Sequence, residues 1–295
     1  MSFILKKNKT DRIIDTVLYT SLVIFGFATL FPLYYVAVMS VTPIAEVLRN
    51  GGFVLWPQHV TFDAYYYIFK SNRIPDALKI TIMVTTLGTF CNLLITSLLA
   101  YPLSKKYLPG RNAVLVSIVF TMLFSGGLIP LYLVVSATGL LNSIWALIIP
   151  GLVSSFNMLI MKSYFENLPA EVEEAAKVDG CSDLQVLGRI VLPLSMPIVA
   201  TLGLFYGVNH WNAYFGGIMY VTDPSLMPIQ VVLRNMIVTP SVSQELGLNV
   251  QDLQVLPPET IKMATVVVAT LPILIIYPFL QKYFVKGMLL GSIKG

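Results

Sequence analysis

Apolar positions in this chain of 295 residues come in long unbroken runs. A water-soluble helix shows a one-sided stripe and a half-buried strand an alternation, and neither pattern dominates here. Crossing about 30 Å of hydrocarbon takes about 20 mainly apolar helical residues. Six segments reach that length: Ile13 to Met39, Ala77 to Leu103, Ala113 to Val135, Ser143 to Met161, Leu192 to Tyr220 and Met263 to Leu280. The pattern predicts an all-α polytopic membrane protein, one domain over residues 1–295 with six spans. The first run exceeds the about 7–15 apolar residues of a secretory signal, so it is expected to stay as an uncleaved span.

Composition agrees with the pattern. Hydrophobic residues make up 56% and charged residues 12%, with a mean hydropathy of +0.77. A soluble domain carries about 25% charge, so no single water-facing core absorbs this much apolar surface. The net charge of +4 does not point to nucleic acid, because the cations are spread between the spans. Their spread reports orientation instead. Lys6, Lys7, Lys9, Arg12, Lys105, Lys106, Arg111, Lys162, Lys177, Arg189, Lys282, Lys286 and Lys294 fall on one side; Arg49, Lys70, Arg73, Lys79, Arg234 and Lys262 fall on the other. Cytoplasmic loops hold the excess of Lys and Arg, which places both termini and the loop 162–191 in the cytoplasm. The two larger outer segments, Ser40 to Asp76 and Val221 to Thr260, are turn-rich, with Gly51-Gly52, Trp56-Pro57, Pro240 and Pro257-Pro258. Cys91 lies in an apolar run and Cys181 in the charged loop, a placement that suits neither a disulfide nor a metal pair.

Several chemistries lack their residues. No GxxxxGK[ST] phosphate loop occurs, no HExxH or comparable ligand set is present, and no Asp or Glu lies mid-span. Ion-coupled carriers place ionisable groups inside the membrane, so a secondary carrier or channel working alone is disfavoured. A membrane scaffold or sensor has no appended signalling domain to support it. Energy is expected from a partner.

The densest polar information is in the loop 162–191. Leu168-Pro169-Ala170-Glu171 reads as a helix start, with Glu171, Glu173 and Glu174 at the positive end of the dipole. Gly180 supplies a left-handed stop, and Ser182-Asp183-Leu184-Gln185 has the spacing of a capping box opening a second helix that feeds the fifth span. Ala175, Ala176 and Val178 are expected to form a small-residue face that lets another surface approach. An ordinary amphipathic connector would carry the same composition.

Glu174-Ala175-Ala176, three residues, Gly180, nine residues, Ile190, one residue and Leu192-Pro193 resembles, at full spacing, the EAA signature of ABC importer permeases. Asp179 and Pro197 also match the pattern of the carbohydrate-uptake branch, similar to the smaller membrane subunit of the maltose transporter; Cys181 departs from the usual small alanine. Phe124 to Pro130, His210-Trp211-Asn212 and Gln281 to Gly287 look like the subgroup of lipoprotein-associated and oligosaccharide permeases. The resemblance implies a type I ABC importer permease fold and a coupling role for Glu174, Ala175, Ala176, Asp179 and Gly180 against a separate ATPase. It implies a bacterial cytoplasmic membrane and four partners: a second homologous permease, an ATPase dimer that uses ATP and Mg, a solute-binding protein and a carbohydrate. This chain itself would bind no cofactor or metal. An amino-acid or phosphate permease is the nearest alternative. The tail Gly287 to Gly295 is expected either to anchor the last span or to reach between ATPase subunits.

The fifth span is the most polar. Gly203, Gly207, His210, Tyr214 and Gly217 recur at helical spacing beside a stripe of Asn209, Asn212 and Gly216. Polar groups in a span face the bundle interior, which leaves two readings for His210, Trp211, Asn212, Tyr214 and Asn209. They line a sugar pathway, or they make a hydrogen-bonded helix contact. Asn92, Ser97, Ser154, Ser155 and Asn157 read as interhelical hydrogen-bonders, Gly126-Gly127 before Pro130 as a kink in the third span, and His59 as solvated surface.

Overall fold

The computed structural model describes residues 9–238, 246 and 258–292, with side chains from residue 10 up to residue 278. Expectations placed on Lys6, Lys7, Pro240, Pro257 and Lys294 lie outside the described residues. In chain order the helices are α1 (Lys9–Ser40), α2 (Ile44–Arg49), α3 (Asp63–Lys70), α4 (Arg73–Ser104), α5 (Arg111–Leu123), α6 (Leu128–Ala137), α7 (Ser155–Glu166), α8 (Ala170–Val178), α9 (Asp183–Val186), α10 (Leu192–Leu194), α11 (Met196–Asn212), α12 (Phe215–Tyr220), α13 (Ile229–Val238) and α14 (Pro258–Ser292). No strand occurs among the described residues.

Three of these, α1, α4 and α14, are continuous and apolar enough to cross a membrane. The other three apolar runs are each a pair of helices bent at a short break, sharper in the third than the kink expected there. The third divides into α5 and α6, bent by 115°. Phe124 is extended at φ −118° and Gly127 takes φ +87°, a value open to glycine and strained for other residues, so the kink is a full break. The fourth opens as two tight turns, Ile144–Leu147 and Ile149–Gly151, before α7 at 55°. Pro150 lacks an amide to continue the ladder, and Ser154 caps α7 by accepting from Asn157 N at 3.4 Å. The fifth turns by 85° at Ser195, between Asp183–Leu194 and α11. Pro197 donates no amide hydrogen bond, so a new helix begins there. It then breaks again at Ala213, ahead of α12. The last helix continues through much of the expected tail, to Ser292.

The chain forms two compact units. One holds the residues up to Ser71 and the start of α14, through Val268. Its small core joins Val38, Met39, Val47 and Val54, with Tyr35 and Met263 against them. The buried Glu46 carboxylate accepts from the backbone amides of Gln58 (2.7 Å) and His59 (3.2 Å), which folds the segment after α2 back on that helix. His59 itself is exposed, as expected. Most apolar side chains of α1 are left uncovered by protein.

The other unit runs from Asn72 through α13 and resumes at Ala269. α4 is its axis, packed by α7 and α11. Its main core gathers Tyr101, Met158, Met161, Phe165, Leu202 and Tyr206 from those helices, joined by Ala176, Val186 and Leu187 from the loop that follows α7. The loop is therefore part of the core and does not hang from it.

Candidate coupling helix and transport pathway

α8 is built by its own sequence. Pro169 stands at the N-cap and the acidic residues fill the first turn. At the other end Gly180 N donates to Lys177 O and Cys181 N donates to Ala176 O, each at 3.0 Å. That pair of bonds is a Schellman ending, which requires the positive φ that Gly180 adopts at +83°. The Ser182–Gln185 capping box forms, with Ser182 N donating to Gln185 Oε1 at 2.9 Å. The two loop helices thus meet at a turn of fixed geometry. Lys177 Nζ closes it from outside, pairing with Asp183 Oδ1 at 2.9 Å and donating to Tyr107 Oη at 3.2 Å. These bonds, the one to Asp183 foremost, hold the Lys177 ammonium above the ordinary lysine range.

The expected small-residue face is corrected. Ala176 is 7% exposed and packs inward against the core, because it lies one helical turn from the buried Glu173. Glu171, Val172, Glu174, Ala175, Val178 and Asp179 are turned outward. Val178 is 87% exposed and Leu184, across the turn, 70%. Of the five residues expected to act in coupling, Glu174, Ala175, Asp179 and Gly180 are exposed and Ala176 is buried behind them.

Two ion clusters, not anticipated from the sequence, fasten this loop. Glu173 pairs with Lys105 and accepts from Tyr101 Oη at 3.2 Å. Glu166, at the end of α7, pairs with Arg111 and, at 2.7 Å, with Lys162. Arg111 Nε also donates to Leu103 O at 2.8 Å. Residues 68 and 55 positions apart in sequence are brought together here.

In α11 the candidates divide. His210 Nε2 meets Asn92 Oδ1 at 2.6 Å, and Asn92 Nδ2 donates to Gly151 O (2.8 Å) and Leu152 O (2.7 Å). His210 is therefore a strut joining α11, α4 and the broken entry to α7. Trp211 is buried and donates from Nε1 to Ala269 O at 3.1 Å. For these two residues the hydrogen-bonded helix contact describes the geometry, although His210 also reaches a cavity. Asn212 spends its amide on Val208 O of its own helix at 2.9 Å and is exposed, as are Tyr214 and Asn209. Gly203 and Gly207 face Leu93 and Thr89 of α4, and Gly88 of α4 faces the His210 ring. Asn92 is the interhelical hydrogen-bonder expected; Ser97 bonds Leu93 O of its own helix and reaches Met161 Sδ.

A cavity of ≈ 180 Å³ adjoins this strut, lined by Thr81, Tyr206, Asn209, His210 and Tyr220 among apolar neighbours. The lining residue Tyr220 is tied by its carbonyl to Asn142 N at 2.9 Å, and Asn142 Oδ1 accepts from Thr222 N (2.6 Å), Thr222 Oγ1 (2.9 Å) and Asp223 N (3.1 Å). No group of three or more His, Cys, Asp or Glu suited to a metal occurs among the described residues.

Over residues 1–290 the chain matches the model of the binding-protein-dependent transport system inner membrane component. The chain belongs to that family. It is 44% identical over 289 residues to the polygalacturonan/rhamnogalacturonan transport system permease protein YtcP of Bacillus subtilis (strain 168), covering 97% of this chain and 99% of that one. The arabinooligosaccharides transport system permease protein AraQ of Halalkalibacterium halodurans is 28% identical over 98% of this chain and 100% of its own. One chain of the crystal structure of a bacterial ABC transporter involved in import of the acidic polysaccharide alginate superposes with a TM-score of 0.89. It is 33% identical, over 95% of this chain and 99% of that one. The family and the all-helical permease fold expected from the EAA-like loop are thereby borne out.

Proposed function

We propose that this chain is one membrane-spanning subunit of an ATP-driven importer that takes an oligosaccharide into a bacterial cell. The observation that carries this reading is the 44% identity, end to end, with a permease named for polygalacturonan and rhamnogalacturonan transport. That relative is named for galacturonan polymers and the alginate importer, at 33%, for an acidic polysaccharide, whereas the arabinooligosaccharide relative stands at 28%. An acidic oligosaccharide is therefore favoured over a neutral one.

In this reading the three long helices and three bent pairs cross the cytoplasmic membrane as six spans, with both termini and α8 inside. The excess of Lys and Arg on that side supports the orientation. Glu171, Glu174, Ala175, Val178 and Asp179 dock into a separate ATPase subunit, which uses ATP and Mg. A second homologous permease completes the pore, and a solute-binding protein delivers sugar from outside. ATP binding closes the ATPase dimer and draws the two coupling helices together. The spans then shift between inward-open and outward-open arrangements, biased by nucleotide and by the loaded binding protein. Within this subunit Asn209 and the cavity beside His210 are the places where a sugar hydroxyl meets polar side chains; Asn212 and Tyr214 remain pathway candidates by their exposure.

Crosslinking from Ala175→Cys in the assembled complex tests the docking. Capture of a nucleotide-hydrolysing subunit is expected, and capture that fails in an active complex contradicts the reading.

A further inference from the structure

Glu173 adjoins the residues that face the ATPase, yet it points the other way. Its side chain is 11% exposed and that of Lys105 16%. Lys105 Nζ also sits over the Tyr101 ring at 4.6 Å from its centroid, and Tyr101 Oη is the second donor to Glu173. Lys105 directly follows α4, and Tyr101 belongs to its last turn. A carboxylate from the first turn of α8 is thus held in a shielded site by two groups at one end of α4. Ala176, one turn on, packs into the same core.

A shielded ion pair is a poor means of adding stability, because desolvation offsets most of the attraction; what it fixes well is geometry. An apolar contact at this place would let α8 slide or rotate. Two hydrogen-bonded groups meeting one carboxylate set its angle and register. The helix so gripped matters too. α4 carries Asn92, bonded to His210 of α11, and Thr81, whose hydroxyl accepts from Ile229 N at 2.8 Å at the start of α13. A displacement imposed on α8 has a direct route along α4 to the walls of the cavity.

We propose that Glu173, held by Lys105 and Tyr101, is a positioning residue that makes α8 and α4 move as one body, so that motion of the ATPase reaches the transport pathway through α4. This rests on the reading of α8 as the coupling helix. Glu173 touches neither sugar nor nucleotide in it; it acts by fixing the helix that bears Glu174.

The test uses the whole assembled importer in proteoliposomes, with binding-protein-stimulated ATPase and sugar uptake both expressed per assembled complex. Glu173→Gln is expected to assemble and keep stimulated ATPase within about threefold, while uptake per ATP hydrolysed falls about tenfold. The exchanged pair Glu173→Lys with Lys105→Glu is expected to recover most of the loss. If Glu173→Gln transports like the parent, or if uptake and ATPase fall together, the residue is merely structural and the proposal is overturned. Should Glu173→Gln fail to assemble, Tyr101→Phe, which keeps the carboxylate and its lysine, is expected to lower uptake per ATP hydrolysed, and parental coupling in it overturns the proposal; a linkage experiment reads the same rigidity. Lys105→Cys and Glu173→Cys, in a background of Cys91→Ser and Cys181→Ala, are joined by a short bifunctional thiol reagent. One rigid body predicts that the joined complex still transports; arrest by the linker shows that α8 moves on α4 and refutes the proposal. Failure of Ala175→Cys to capture an ATPase in an active complex would instead withdraw the coupling reading on which it rests.

Discussion

Replacing Gly88 by alanine adds one methyl group at a crowded contact between α4 and α11. A Cβ there would lie 2.6 Å from Nε2, 2.8 Å from Cε1 and 3.0 Å from Cδ2 of His210. Ordinary carbon contacts lie near 3.5–4.0 Å, so the ring must retreat by about 1 Å. It is not free to do so, because its Nε2 is bonded to Asn92 at 2.6 Å and Asn92 is held by two carbonyls. Overpacking of this kind costs about 1–3 kcal/mol. Losing the His210–Asn92 bond leaves buried polar atoms unpaired for about 1–3 kcal/mol more. Alanine returns about 1 kcal/mol through its better helix propensity, and the net is a loss of about 2 kcal/mol or more. Gly207→Ala is the control. Its Cβ would find Thr89 Oγ1 at 3.6 Å, an ordinary contact, so only the favourable propensity term remains. Thermal melting of the purified complex should put Gly88→Ala about 5 °C or more below Gly207→Ala. In a His210→Ala background the cost of Gly88→Ala should vanish, since the obstructing ring is gone. Equal melting of the two alanine variants, or a cost unchanged without the ring, refutes the packing account.

Cysteines placed at 175 and 176 should differ sharply in labelling by a water-soluble maleimide, Ala175→Cys fast and Ala176→Cys slow, in complexes stripped of ATPase; equal rates would remove the inward orientation of Ala176. Gly180→Ala should lose about 1 kcal/mol, read in the melting midpoint, because its φ is +83° and not because space is lacking. A larger side chain such as Gly180→Val should do worse, and a variant with parental melting contradicts the Schellman ending. Asn209→Ala should lower uptake more than Asn212→Ala does, since the Asn212 amide is occupied by Val208 O; the reverse order would move the pathway to the other face of α11.

What the sequence made legible was local. The loop from Pro169 to Gln185 could be read residue by residue because caps and stops are decided by neighbours a turn apart. The runs that became α1, α4 and α14 were legible because their apolar residues continue on both sides of the internal Pro32, Pro102, Pro272 and Pro278. The breaks at Phe124–Gly127, Pro150 and Ser195 were harder, since an apolar average over 20 residues is insensitive to one glycine or serine. Proline beside Ser195, at positions 193 and 197, was the available signal for that turn. Pairings across the bundle were hidden altogether. Asn92 and His210 are 118 residues apart, Lys105 and Glu173 are 68, and no periodicity links them. The inward turn of Ala176 was within reach, because Glu173 and Ala176 are three apart and share a helix face, whereas adjacent alanines do not.

Uptake of a labelled acidic oligosaccharide into proteoliposomes holding the assembled importer, with the solute-binding protein outside and ATP and Mg trapped inside, tests the central claim most directly. The account predicts accumulation that requires ATP on the side of α8 and is abolished by Glu174→Lys without loss of the membrane-embedded chain. Accumulation without nucleotide, or undiminished by that substitution, would contradict it.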